Sequence, residues 1–373
     1  MTTVCKENSC TGCMACTAVC AKNAISVETA PEAYNAVIDT VLCVDCGACR
    51  RVCQVDAPLP LLAPRQWLQG WTADDAQRSR SASGGAAYEI EKAFLQGGGH
   101  VWTCRFSDGG FRIEEVGGVD ALLQAFANSK YVKSDPSGAY AAIREQLRTE
   151  RVLFVGLPCQ AAGLKRYIGE KNAERLYTAD LICHGTPSPQ LLEIFLKQYG
   201  RTLGDASDIS FRTKTKAGIR FQVEVDSVPL EVSGVCDCYT MGFLEGMTYT
   251  RNCYSCPYAG ADRVSDLTLG DSWGSELDPT ELHRGISLFL VQTRKGEELI
   301  GQAALKTCPA DAESAVQHNA QLREPMRMPK NRERFFTLLR SGSFNRAVAK
   351  CLPKFVMKQK VKAALIKTKL IGR

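Results

Sequence analysis

The stretch Cys10–Cys20, CTGCMACTAVC, sets four thiols in eleven residues, separated by two, two and three positions. The same spacing returns 33 residues later at Cys43, Cys46, Cys49 and Cys53. Two copies of one spacing imply two structurally equivalent halves. AISVET follows the first copy and NAVIDT precedes the second. Each reads as a short strand flanking a tight ligand loop.

Three cysteines spaced by two residues wrap a loop around one face of a cubane, and a fourth, three residues on, points away. In two-cluster ferredoxins that fourth thiolate ligates the other cluster. The spacing therefore predicts one 4Fe–4S cluster on Cys10, Cys13, Cys16 and Cys53, and a second on Cys43, Cys46, Cys49 and Cys20. Gly12 and Gly47 lie inside the loops and let the backbone approach a cluster closely. A pair of zinc sites fits worse, because zinc knuckles pair C-x2-C units across wider gaps. Ala21 and Gln54 stand where ferredoxin motifs usually carry proline, a departure that removes no ligand.

Eighteen cysteines in 373 residues, with no apolar leader in MTTVCKENSC, favour metal or redox chemistry in a reduced, cytoplasmic setting over a disulfide scaffold. Hydrophobic residues make up 45% and charged residues 23%, an ordinary globular balance. The net charge of +6 misleads if read alone. Ten of the 46 basic residues fall between Arg340 and Arg373, with no acid among them, leaving 36 basic against 40 acidic residues elsewhere. The body is mildly acidic and only the tail is basic, so no nucleic-acid partner is expected.

The fold expected is an α+β ferredoxin-like N-terminal domain (1–62), then an α/β domain with a mixed sheet, and a helical C-terminal tail. APLPLLAP closes the first domain, and 63–82 reads as a linker. The larger domain divides into 83–165 and 166–330, and 331–373 forms the basic tail. RVLFVGLPCQAAGLKRYI and LYTADLICHGTPSPQLLEIFLKQYG each read strand, turn, helix; LTLGDSWG and ISLFLVQTRKGEELIGQAAL add further strands, the second with a helix. FQVEVDSVPLEVSGV reads as a hairpin. Cys159 and Cys183 each follow a predicted strand, where open α/β sheets bind ligands.

SKYVKS, VLFVGLPCQAAGLK, ICHGTPS, CYSCPYA and RVSDLTLGDSWG resemble, in order and spacing, the beta-subunit family of coenzyme F420 hydrogenases and dehydrogenases, over about Ser83 to Glu324. The resemblance implies an oxidoreductase that binds FAD and often one further cubane. On that analogy Cys159, Cys183, Cys253 and Cys256 are candidates for a third 4Fe–4S cluster. Two strand-end cysteines plus one C-x2-C do supply four soft ligands. The rival is zinc on Cys236, Cys238, Cys253 and Cys256. Cys5, Cys104, Cys308 and Cys351 carry no motif and read as buried or idle thiols.

No G-x-G-x-x-G follows a strand, so the flavin needs another seat. Ser83, Gly84 and Gly85 at a helix start suit a phosphate. Lys133 suits a phosphate or the reduced flavin. His184 is the candidate proton carrier. Asp271 and Trp273 are candidates for contact with flavin or substrate, with a turn-stabilising role as the alternative.

The tail, KFVMKQKVKAALIKTKLIGR, reads as a basic amphipathic helix suited to an anionic membrane surface or an acidic partner. The function expected is electron transfer between a two-electron donor or acceptor (a deazaflavin, a nicotinamide or an organic substrate), FAD and the clusters. Bacterial polysaccharide synthesis is a setting the family suggests. The alternatives are a non-catalytic electron-transfer subunit and a zinc-stabilised interaction module. Expected partners are a redox protein or a small-molecule donor, with a homo-oligomer compatible.

Overall fold

The computed structural model describes residues 2–125, 128–215 and 218–368. The end of the expected tail, 369–373, lies outside the described residues.

The two cysteine loops fold as one backbone shape used twice. Gly12 and Asp45, 33 positions apart, take φ of 69° and 51°; Met14 and Gly47 take 60° and 68°. Met14 caps α1 (Ala15–Val19) and Gly47 caps α2 (Ala48–Val52). Each copy has glycine at only one of its two left-handed positions and tolerates a strained residue at the other. The N–H of Gly12 donates to the Cys10 sulfur and that of Asp45 to the Cys43 sulfur, both at 3.4 Å. Between the copies, β1 (Ile25–Thr29) and β2 (Tyr34–Ile38) pair antiparallel.

The larger domain is built on one sheet. Its strands are β3 (Gln66–Thr72), β4 (His100–Ser107), β5 (Gly110–Glu115), β6 (Val152–Gly156), β7 (Leu176–Leu181), β11 (Leu267–Asp271), β12 (Ser287–Val291) and β13 (Leu305–Pro309). They run in the order β13-β3-β12-β11-β7-β6-β4-β5. The centre, β4-β6-β7-β11, is parallel, and the other pairings are antiparallel. VLFVG of β6 is buried along its whole length, as a parallel strand covered on both faces must be.

Its alternate side chains enter different cores. Leu153 and Val155 meet Ile90 and Phe94 of α4 (Ala86–Gln96), Leu122 of α5 (Val119–Ala125) and Leu299 of α11 (Arg294–Gln302). Val152 and Phe154 meet Ile143 of α6 (Ala139–Gln146) and Leu164 of α7 (Pro158–Ile168), in a core shared with Cys13, Ala15 and Val52. The small domain therefore seats on that face of the sheet.

A second lobe holds β8 (Ile209–Thr215), β9 (Gly218–Val225) and β10 (Val228–Pro229) as a three-stranded sheet. Around it pack α8 (Pro189–Lys197), α9 (Cys238–Leu244), α13 (Arg332–Arg340), α14 (Phe344–Cys351) and α15 (Pro353–Lys367). The remaining helices are α3 (Asp75–Arg80), α10 (Pro279–Arg284) and α12 (Ala312–His318). No helix among the described residues is long and apolar enough to cross a membrane.

Four expectations differ from this architecture. The stretch 63–82 is not a linker: β3 lies between β12 and β13, and α3 follows it. The expected division at 165/166 is crossed by β6–β7 pairing, so one sheet spans both parts. The hairpin is larger than expected, because β9 pairs chiefly with β8 and only two residues of β10 turn back after Asp226 and Ser227. Finally, α15 does not gather its apolar residues on one side. Val356 and Ile366 are buried, whereas Met357 and Val361 are 62% and 53% exposed. Its partner is the protein itself, with Gln359 accepting from the Cys236 N–H at 3.1 Å. Among the described residues of the tail, the membrane-binding face read from the sequence is not formed.

Candidate iron–sulfur and flavin site

The fourth cysteine of the second copy joins the first three of the first. Cys10, Cys13, Cys16 and Cys53, each 7–8% exposed, line one cavity with Val4, Val27, Ala36 and Val55. Four thiols in an apolar chamber are a donor set for iron–sulfur chemistry, and they fit a cubane. Burial pushes the Cys13 thiol up to about 12, the cost of leaving thiolates in such a chamber without a cation.

A fifth cysteine, Cys5, lines the same cavity. Its thiol bonds to Cys10 and Cys53, which raises its own pKa and lowers theirs. Sequence reading missed it, because Cys5 belongs to no spacing motif.

The other set is open. Cys20, Cys43 and Cys49 are half-buried and Cys46 is exposed. Burial raises the Cys49 thiol, and Cys20 and Cys43 add to the rise, which puts Cys20 with the second copy. Val41, Leu42 and Val44 beside them are 90%, 50% and 62% exposed.

A third group forms at the carboxyl ends of β6 and β7. Cys159 is the second residue of α7, whose start is set by Pro158 and by Gln160 Oε1, accepting from the Leu157 N–H at 3.1 Å. Cys183 follows β7, Cys253 lies in a 3-10 helix (Arg251–Ser255) beyond α9, and Cys256 closes that helix. Arg263, 1% exposed, ties these together. It pairs with Asp180 at 2.9 Å and donates to the carbonyls of Leu181 (2.7 Å) and Tyr258 (2.6 Å).

Burial raises the Cys159 thiol, Lys133 opposes the rise, and Cys256, Cys183 and Cys253 add to it. Burial, Cys253 and Cys256 push Cys183 up to about 12. The four form one electrostatic group. Cys236 and Cys238, the other half of the zinc alternative, instead flank Asp237 at the start of α9 and pack on the core of the second lobe. The structure does not bring them to Cys253 and Cys256. Among the described residues no three His, Cys, Asp or Glu side chains converge on a single ion; a cubane holds its four thiolates farther apart than one ion does.

The first and third groups are joined by protein. Gly163 of α7 faces Cys13, and a Cβ there would stand 2.8 Å from the Cys13 sulfur. Tyr258 donates to Gln54 Oε1, and Gln54 Nε2 donates to Thr11 Oγ1 at 2.8 Å. The Lys133 ammonium, 2% exposed, donates to the Thr11 carbonyl at 2.8 Å. Lys133, a candidate for flavin contact in the sequence, thus sits against the small domain.

The remaining candidates lie along the same edge of the sheet. Asp271 ends β11 and pairs with Arg212 at 2.8 Å. His184 is solvent-exposed yet walled by protein. Burial lowers its pKa, while Asp271 raises it and Arg212 lowers it further. Next to Asp271 in the sheet, Ser287 accepts the Gly84 N–H at 3.1 Å, and Ser83 Oγ donates to the Ile286 carbonyl at 2.9 Å.

The glycines of this turn answer to packing. A Cβ on Gly84 would stand 2.5 Å from the Gly70 carbonyl oxygen, and Gly85 has φ 84°. Beside the turn lies Lys214, which donates to Ser83 O (2.6 Å) and Arg78 O (2.9 Å). Burial, then Arg78 and Arg212, lower its pKa to about 8. Such a cation-rich recess at the start of α4 suits a bound anion. Trp273, whose N–H donates to the Asp271 carbonyl at 3.0 Å, lines a separate pocket with Gln69, Ser272, Glu276 and Ser314.

Two cysteine-rich loops, a third cysteine group and a parallel-centred sheet define an iron–sulfur electron-transfer protein. Residues 9–57 match the 4Fe–4S dicluster domain, and residues 149–312 match the C terminus of the coenzyme F420 hydrogenase/dehydrogenase beta subunit. Over residues 149–312 the chain is thus similar to the beta subunits of those enzymes. A chain of the F420-reducing [NiFe] hydrogenase complex from Methanosarcina barkeri is similar in structure. It has 16% identity and a TM-score of 0.48, with 76% of this chain and 94% of that chain covered. No curated protein matches this sequence.

Proposed function

We propose that the chain is a flavin-dependent iron–sulfur oxidoreductase that passes electrons between a two-electron carrier and a redox partner protein. Cys159, Cys183, Cys253 and Cys256 would hold a third 4Fe–4S cluster, beside the two on the crossed cysteine sets of the dicluster domain. The observation that carries this is one shared edge. The third cysteine group, His184, Asp271, Arg212, Lys214 and Ser83 all lie at the carboxyl ends of the parallel strands or on segments stitched to them. FAD supplies the exchange between one and two electrons when bound.

Lys214 and the first turn of α4 would hold its pyrophosphate, since Arg78 and Arg212 beside Lys214 disfavour its charge until an anion arrives. His184 is placed to give or take a proton beside Asp271: burial lowers its pKa, which favours the neutral ring that can accept one. Arg212 holds Asp271 in place beside His184.

Anaerobic purification tests the reading through bound flavin. The expected result is flavin in the wild type and its loss in Lys214→Ala with iron unchanged. Iron without flavin in the wild type would overturn the flavin assignment. The exposed Val41, Leu42 and Val44 beside Cys43 and Cys46 favour a second reading within the first, an electron-transfer subunit of a larger complex. Turnover of a deazaflavin or nicotinamide donor without any partner protein would count against it.

A further inference from the structure

Lys133 is a buried ammonium whose partners are not carboxylates. Its backbone N–H donates to the Pro187 carbonyl at 3.0 Å. Its ammonium donates to the Thr11 carbonyl at 2.8 Å and lies 5.4 Å from the centre of the Tyr34 ring. Gly12 has no side chain where a Cβ would meet the Lys133 stem at 3.4 Å.

A charge this deep is costly unless an anion faces it. The anions within reach are thiolates on both sides: Cys10 in the first set, and Cys253, Cys159 and Cys183 in the third. Burial lowers the lysine's pKa, but those thiolates more than reverse it, so the ammonium keeps its proton. The second set has a cation of its own, Arg51, which donates to the Cys46 carbonyl at 2.9 Å, but that contact and Cys46 are exposed, so water screens its charge.

We infer that Lys133 is a positioning residue for electrons: a fixed positive charge between the first and third cysteine sets that favours the reduced state of the centres they hold. The inference rests on the third set holding a cluster, as proposed above. One electron arriving at either centre adds one negative charge beside the ammonium. The lysine forms no bond and gives up no proton, and its attraction acts in a low-dielectric interior where Coulomb terms are large. Net charge and second-shell contacts are levers by which a protein sets cluster potentials.

The test is a redox titration of the anaerobically purified full chain, followed by electron paramagnetic resonance, with iron counted in every sample. Lys133→Gln removes the charge but keeps a donor for the Thr11 carbonyl; Lys133→Arg keeps both. The expected result for the Gln variant is unchanged iron, more negative midpoint potentials for the buried centres and an unmoved potential for the exposed one. The Arg variant stays close to wild type. Unchanged potentials at full iron would overturn the inference, as would an equal shift at all centres or an Arg variant behaving like Gln. Iron loss in the Gln variant would make Lys133 a structural peg and also overturn it. The wild-type iron count separately reads the third cluster: about eight irons per chain, the count of two cubanes, would sink that assignment while the first set still tests Lys133.

Discussion

Gly163 and Lys214 carry the sharpest consequences of single side chains. A Cβ at Gly163 would press on the Cys13 sulfur at 2.8 Å and on its Cβ at 2.9 Å. Gly163→Val should therefore destabilise the chain by about 1–3 kcal/mol, the usual cost of overpacking, and lower its iron content; a variant with wild-type iron and melting temperature would count against this seat for the first set. Lys214 gives a pH dependence. Its folded pKa is depressed to about 8, against about 10.4 for an unfolded lysine. Between those values the unfolded chain binds more protons, so stability rises with pH across that window. A bound anion favours the charged form, so FAD affinity should fall as pH climbs above about 8. Fluorescence titration at a series of pH values checks it, and Lys214→Ala should flatten the profile. The eight cysteines of the repeat were legible because ligand spacing is local. Lys133 was singled out as a flavin or phosphate contact; its bond to Thr11 was not legible, because it spans 122 positions that no local pattern encodes.

Elements were legible where hydrophobic runs sat between clear turns, as for β6, β7 and the helices after them. β3 was not. Its stretch QWLQGWT mixes glutamines with apolar residues between prolines and a polar helix, so it reads as linker. It becomes a strand because β12 and β13 flank it, and Gly70 lets Lys306 pass where a Cβ would stand 2.1 Å from that carbonyl oxygen. The loop after Cys53 teaches a similar lesson. Gln54, read as a departure from the usual proline, is 1% exposed and bridges Tyr258 to Thr11. Proline has neither donor nor acceptor in its side chain for that bridge. Gln54→Ala should strand the buried Tyr258 hydroxyl and cost about 1–3 kcal/mol, the price of an unsatisfied buried polar group. Thermal unfolding reads this, and an unchanged melting temperature would show that the bridge adds no stability.

At the scale of the whole molecule the three cysteine groups differ in exposure. The first is buried between the domains, the third is half-buried, and the second reaches the surface beside Val41, Leu42 and Val44. Replacing those three residues with serine should slow electron delivery to a protein acceptor while leaving reduction of the chain's own centres unchanged. Stopped-flow kinetics with each acceptor separates the two. That order was half legible: the repeat predicted the crossed ligands, but only the packing of α1 and α2 on α7 places them against Cys159. The central claim, that four cysteines from three distant segments complete a third cluster, is tested most directly by counting iron. The account predicts about twelve irons per chain for three cubanes, falling to about eight in Cys159→Ser and in Cys183→Ser alike. About eight irons in the wild type, unchanged in both variants, would contradict it.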